Sequence, residues 1–231
     1  MGLEIGRAEF FQRGIIEWYR VNGDKGLPWR NTRDPWAVLV AAFMLRKTTT
    51  RQVLRVYKLF LEKYPSPEKL VGERTEDVES ILRPLGIERQ RAVQIKRVAE
   101  HIVGRWGGRI PCDRQLLKEL PGVGDYIASE ELLVACGQPQ PLLDRNMVRM
   151  LERFFGVKSS RKRPHMDPSF WKLARRILPR DPELAKEFNY GVLDFARSIC
   201  TASRPKCEVC VLRGLCKFAM EKKSNTLRRD G

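Results

Sequence analysis

The sequence predicts an all-α protein, and three observations carry that reading. Apolar side chains recur at helical spacing along most of the chain. Prolines and glycines divide those stretches into segments of helix length. No run alternates apolar and polar residues with a period of two between turn signals, so no sheet is expected.

The elements follow in order. Phe10, Phe11, Ile15, Ile16, Trp18 and Tyr19 share one face of an opening helix. Residues 38–45 are mostly apolar and predict a buried helix. Val53, Val56, Tyr57, Phe60 and Leu61 continue at helical spacing until Pro65 stops them. Further helices are expected over 67–71, 76–82, 89–106, 112–119, 126–136, 145–155, 169–178 and 181–200. The stretch 157–168 is polar and basic and reads as an exposed connection; there is no internal repeat and no low-complexity segment.

A chain of 231 residues can bury one core, or two small cores with a cleft between them. With 42% hydrophobic and 31% charged residues it belongs with globular rather than disordered proteins. No stretch approaches the ~18 consecutive apolar residues of a membrane span. The first eleven residues carry Glu4 and Glu9 and lack an apolar core followed by a small-residue cleavage site, so a cytoplasmic, nucleoid-associated protein is expected. Lys and Arg number 44 against 28 Asp and Glu, a net charge of +16. So large an excess repels itself in a compact chain and points to a polyanion as partner, nucleic acid first. A solvated surface tuned for solubility or heat is the other explanation. The basic residues are spread along the chain, with a local cluster at Lys158, Arg161, Lys162 and Arg163.

Leu120-Pro121-Gly122-Val123-Gly124-Asp125-Tyr126 stands between two helical segments. Pro121 breaks the first helix, and the two glycines permit a tight hairpin that leaves the N–H groups of Gly122, Val123 and Gly124 at the start of the next helix. Backbone donors at a helix N-terminus form an anion site, and a nucleic-acid phosphate fits it without regard to sequence. A plain helix-to-helix turn is the alternative. Further on, Leu142-Leu143-Asp144-Arg145-Asn146-Met147-Val148-Arg149 places Asp144 eighteen residues beyond Tyr126, before a helix that it is able to cap.

With these residues the chain resembles the endonuclease III family of helix-hairpin-helix DNA glycosylases, from about Pro28-Trp29-Arg30 to Cys216. The resemblance implies a six-helix barrel domain over 27–137. It also implies a second domain made of 1–26 and 138–231, with double-stranded DNA in the cleft between them. It gives Asp144 the role of catalytic carboxylate, stabilising positive charge on the sugar as the glycosidic bond breaks.

Cys200, Cys207, Cys210 and Cys216 form the pattern Cys-x6-Cys-x2-Cys-x5-Cys. Four thiols packed so closely read as a metal or cluster site. Zinc accepts the same ligands, usually as two Cys-x2-Cys pairs; the spacing here is similar to that of the family's [4Fe–4S] cluster. Its expected role is structural, holding Arg204, Lys206 and Arg213 against the DNA backbone. Cys112 and Cys136 are expected to be small hydrophobes of the core.

Tyr126 stands where strand-cutting family members carry a lysine. A phenol forms no imine, so the resemblance implies a monofunctional enzyme that uses water and leaves an abasic site; a core aromatic is the alternative. Among the branches, tyrosine here resembles thymine/uracil glycosylases acting on G·T and G·U mismatches, acting as monomers. The position of Ala42 holds a glutamate in adenine glycosylases, where it protonates the purine; alanine cannot. That weighs against the rival reading, adenine excision opposite guanine or 8-oxoguanine. The mismatch-specific members also carry glutamate there, so this chain departs from its nearest branch. Glu130 and Glu131 stand in an otherwise apolar helix, and Glu130 lies one turn beyond Tyr126. Either the acid has moved to Glu130 or both glutamates sit on a wet face. Residues 46–49 resemble the loop that fills the gap left by a flipped base, with Lys47 or Thr48 as wedge, and Leu85-Gly86-Ile87 resembles the second inserting loop. Tyr190 falls where the neighbouring base is read, or is a packed aromatic. His101 and His165 are read as structural or surface residues. A non-catalytic damage-binding module is the remaining alternative, and its signature would be loss of the aspartate.

Overall fold

The computed structural model describes residues 5–227; the part of the N-terminal reading that rests on Glu4 lies outside them. Among the described residues all regular structure is helical. The chain opens with α1 (Ile5–Asn22) and continues with α2 (Pro35–Met44), α3 (Thr50–Lys63), α4 (Pro67–Val71), α5 (Thr75–Leu82), α6 (Glu88–Trp106), α7 (Arg114–Glu119) and α8 (Asp125–Val134). It ends with α9 (Arg145–Phe155), α10 (Pro168–Arg176), α11 (Pro182–Ser198) and α12 (Lys217–Leu227). None of the helices is long and apolar enough to cross a membrane.

The helix boundaries are set by caps. Asp34, Asp113, Asp144, Asp167 and Asp181 each accept a backbone N–H from the first turn of the helix that follows. Thr49 and Gln52 form a reciprocal capping box at the start of α3. These caps correct the expected ends by a residue or two: Asp113 caps α7, so that helix begins at Arg114 rather than at 112. The helix α12 was not expected from the sequence. Its Lys, Ser and Asn residues leave no clean apolar stripe for periodicity to detect.

The chain divides into two compact units, an inserted one of Lys25–Gln138 and a terminal one of Met1–Asp24 with Pro139–Gly231. The inserted unit is built around α2, whose residues from Trp36 to Met44 are all buried, and around the apolar face of α6, with Ile95, Val98 and Ile102 fully buried. The terminal unit has an aromatic core in which the Phe11 ring lies 4.8 Å from Phe154 and 5.8 Å from Phe188. There α1 lies along α11, and a Cβ on Gly191 would stand 2.7 Å from the Ile15 side chain, so the glycine permits the close approach.

Cys112 and Cys136 do not behave as core hydrophobes. They form a disulfide, and Cys112 is exposed. Their partnership depends on the inserted unit folding α7 and α8 back on each other, a proximity that spacing along the chain does not reveal.

Candidate functional site

Two stretches of the inserted unit face solvent with unusual backbones. The first is the hairpin between α7 and α8. Gly122 adopts φ +77°, and Gly124 caps α8 with no side-chain acceptor for the first-turn amides. Both glycines are exposed. The Val123 amide is not one of the anion donors, as it closes the turn onto the Leu120 carbonyl at 3.0 Å. The hairpin is braced by Arg114 donating to Ser129 Oγ (2.9 Å), by Lys118 on the Asp125 carboxylate (2.9 Å), and by the Gln94 amide on the Pro121 carbonyl. The 112–136 disulfide closes the same segment.

The second stretch is the pair of turns at 46–48 and 86–87. Among the described residues Lys47 (φ +55°) and Ile87 (φ +46°) are the non-glycine residues with positive φ. A left-handed β-branched residue costs on the order of 1–3 kcal/mol, and such strain clusters at functional sites. Lys47 is exposed and Ile87 is 51% exposed. Thr48, the other wedge candidate, turns its hydroxyl inward, donating to the Arg46 carbonyl at 3.0 Å and accepting from Arg91. Lys47 and Ile87 are therefore the side chains free to reach outward. A hollow of about 270 Å³ lies between the turns, lined by Phe43, Arg46, Lys47, Ile87, Gln90, Arg91 and Gln94.

Helix α8 carries Tyr126, which is half-buried, then Glu130 at 7% exposure one turn later. Ala42 is buried on α2, which packs against α8. Neither glutamate is on a wet face. Glu131 is fully buried and both carboxyl oxygens lack a hydrogen-bond partner. Burial raises its pKa well above the usual carboxylate range, and the charges of Glu130 and Asp34 push it further, so the neutral acid is favoured.

The terminal unit holds Asp144. Its Oδ1 accepts the amides of Asn146 (2.8 Å) and Met147 (2.9 Å), and its Oδ2 accepts from the Asn146 side chain at 2.6 Å. Burial raises the Asp144 pKa; the hydrogen bonds and the Arg149 charge oppose that rise and limit it. Cap and reactive carboxylate are compatible roles, because one oxygen is fixed and the other is held by a single amide. Asn146 is oriented in turn by Arg149, which donates to its Oδ1 (3.0 Å) and to the carbonyls of Cys200 and Ala196 (both 2.9 Å).

Cys200, Cys207, Cys210 and Cys216 are free thiols of the same unit. Burial pushes the Cys207, Cys210 and Cys216 thiols up, Cys210 to about 11, and repulsion among the neighbouring cysteines adds to it. Arg153 offers a counter-charge, with Nη1 3.3 Å from Cys200 Sγ, and it also binds the Thr201 and Ala202 carbonyls. Crowded thiols that repel as thiolates fit a cationic group between them. Among the described residues no three Cys, His, Asp or Glu side chains are gathered for a single metal ion. The cysteine-only donor set and its Cys-x6-Cys-x2-Cys-x5-Cys spacing suit an iron–sulfur cluster. Arg204, Lys206 and Arg213 are exposed on this loop. Tyr190 is buried on α11, with 2% exposure. His165 stands in the short helical turn before α10, and His101 packs its ring against Trp106.

Sequence reasoning missed Arg91, Gln94, Asn146, Arg149 and Arg153. For Arg91 a signal existed: it shares the buried stripe of α6 with Ile95, Val98 and Ile102, where a charge needs partners.

Residues 40–176 match the model of the HhH-GPD superfamily base excision DNA repair proteins, and residues 200–216 match that of the iron–sulfur binding domain of endonuclease III. The chain is similar to a thymine-DNA glycosylase of Aeropyrum pernix, 64% identical over 94% of this chain and 97% of that protein. It is also similar to a thymine/uracil-DNA glycosylase of Pyrobaculum aerophilum, 58% identical over 90% of this chain and 91% of that protein. Among solved structures it is similar to a thermostable thymine-DNA glycosylase, with a TM-score of 0.88 and 30% identity, covering 94% of this chain and 98% of that one.

Proposed function

The chain belongs to the HhH-GPD superfamily of base excision DNA repair proteins, and on that premise we propose that it is a monofunctional DNA glycosylase. It removes thymine or uracil from G·T and G·U mismatches in double-stranded DNA, acting as a monomer on chromosomal DNA in the cytoplasm. The observation that carries the choice of base is the near full-length similarity to thymine- and thymine/uracil-DNA glycosylases, against which adenine glycosylases are more distant.

The residues support a hydrolytic route. Asp144, held by the amides of α9, supplies negative charge beside the sugar as C1′ gains oxocarbenium character, and it orients the attacking water. Tyr126 offers no amine, so no imine forms and the strand stays intact. Thymine and uracil leave as stabilised anions and tolerate alanine at position 42. To Glu130, one turn from Tyr126 and 7% exposed, we assign contact with the extruded base; unchanged single-turnover excision by a folded Glu130→Gln variant would remove it from the mechanism. Gly122 and Gly124 grip a phosphate, and Lys47 and Ile87 enter the duplex where the base has left. The four cysteines would hold a [4Fe–4S] cluster, whose contribution is to fix the fold of the loop bearing Arg204, Lys206 and Arg213.

The test is a panel of duplexes containing G·T, G·U, G·A and 8-oxoguanine·A, each incubated with the protein and then treated with alkali. Breaks on G·T and G·U that need alkali support the reading. Breaks on the adenine duplexes alone would replace it with adenine excision, and no breaks anywhere would leave a binding module.

A further inference from the structure

Arg91 and Gln94 lie one turn apart on α6, and between them they reach all three loops that the proposed function assigns to DNA. Arg91 is 5% exposed. Its Nε donates to the Gly86 carbonyl at 3.1 Å. Its Nη1 donates to the carbonyls of Phe43 (2.7 Å) and Met44 (3.0 Å), and its Nη2 to the Arg46 carbonyl (2.5 Å) and to Thr48 Oγ1. A guanidinium has five N–H donors in a rigid planar fork. Here all five are spent inside the protein, four of them on main-chain carbonyls. None is left to donate to a phosphate or a base.

What it does join is specific. The Phe43, Met44 and Arg46 carbonyls belong to the end of α2 and the turn before Lys47; the Gly86 carbonyl precedes Ile87. The two strained residues, Lys47 and Ile87, thus stand on turns tied to one planar group. One turn further on, Gln94 donates to the Pro121 carbonyl of the hairpin, and its amide packs so closely on Gly122 that a Cβ there would meet it at 2.9 Å.

We propose that Arg91 is a positioning residue that fixes the spacing of the two turns carrying Lys47 and Ile87 so that both enter a duplex together, with Gln94 setting the phosphate-gripping hairpin on the same helix. The inference rests on the DNA-glycosylase reading. It goes beyond that reading by assigning base extrusion, rather than bond cleavage, to a residue whose N–H donors are all engaged inside the protein. Arg91→Lys keeps the charge but loses the fork, and Arg91→Met loses both.

The experiment uses the full chain of wild type and both variants, at a temperature where all three are folded by circular dichroism. One measurement is single-turnover release of uracil from a G·U duplex and from the same uracil in a bubble of unpaired bases, which needs no prying open. The other is the fluorescence of 2-aminopurine placed beside a G·T mismatch, which reports unstacking on binding alone. Positioning predicts that duplex excision falls at least tenfold in Arg91→Met and less in Arg91→Lys. Bubble excision then changes by less than threefold, and the fluorescence rise is lost in step with the duplex rate. Equal losses on duplex and bubble, or a full fluorescence rise in Arg91→Met, would overturn it and leave Arg91 as a support of the fold. If wild type releases no uracil from either substrate, the glycosylase reading fails, and the fluorescence comparison still decides the role of Arg91.

Discussion

The Cys112–Cys136 disulfide encloses α7, the hairpin and α8, and breaking it has a calculable cost. The bonded residues are 24 apart in sequence. In the chain-entropy model, closing a loop of that length lowers the entropy of the unfolded chain by about 12 cal/mol/K, or about 3.4 kcal/mol at 25 °C. For a chain of this size about 1 kcal/mol moves the melting point by roughly 2–4 °C, so the double variant Cys112→Ala/Cys136→Ala should melt roughly 7–14 °C lower. Differential scanning calorimetry of the variant and of the oxidised wild type measures this directly. Duplex binding below the melting temperature should change little, because Arg114–Ser129, Lys118–Asp125 and Gln94–Pro121 hold the hairpin without the sulfurs. A melting point within 2 °C of wild type would show that the bridge does not carry this stability. So would retained stability with lost binding, which would make the disulfide a part of the grip rather than a brace.

Four further outcomes follow from the site. Burial favours the protonated form of Glu131 in the folded state, so its contribution to stability is intact below the ordinary carboxylate pKa and erodes as pH rises above it, by up to about 1.4 kcal/mol per pH unit. Glu131→Gln should therefore gain on wild type in urea melts as pH goes from 4 to 8; a gap that does not vary with pH counts against a buried neutral acid. Asp144→Asn should keep its fold, since asparagine also caps helices, yet lose roughly a hundred- to a thousandfold in single-turnover excision. Because burial raises the Asp144 pKa, wild-type activity should fall away as pH drops through a value above the ordinary aspartate range, and a rate flat down to pH 4 would contradict that. Tyr126→Lys should gain a borohydride-trappable adduct and strand breaks without alkali if residue 126 faces C1′; a folded, binding variant that yields no adduct would place it elsewhere.

Much of this was legible in the sequence where the signal is local. The helices at Pro67–Val71 and Arg145–Phe155 have the boundaries that periodicity and caps predict. Asp144 shows as a cap before an apolar stripe, and the cysteine spacing is short enough to read directly. What stayed hidden depends on distant residues meeting. The disulfide needs α7 and α8 folded together, and Arg91 needs carbonyls up to 48 positions away. Glu131 was open to a wet-face reading because α8 is apolar on nearly every side; only the packing of α2 against it shows that no such face exists. Thr48 was a fair wedge candidate by position, but its hydroxyl is already committed to Arg91.

Hydrolytic release of a mismatched pyrimidine by a site with no amine nucleophile is decided by mass spectrometry of the products of a single turnover on a G·T duplex, without alkali. Hydrolysis yields free thymine and an unbroken strand carrying an abasic site. A strand cut to an unsaturated aldehyde, or an intact G·T duplex with adenine released from a control mismatch, would rule it out.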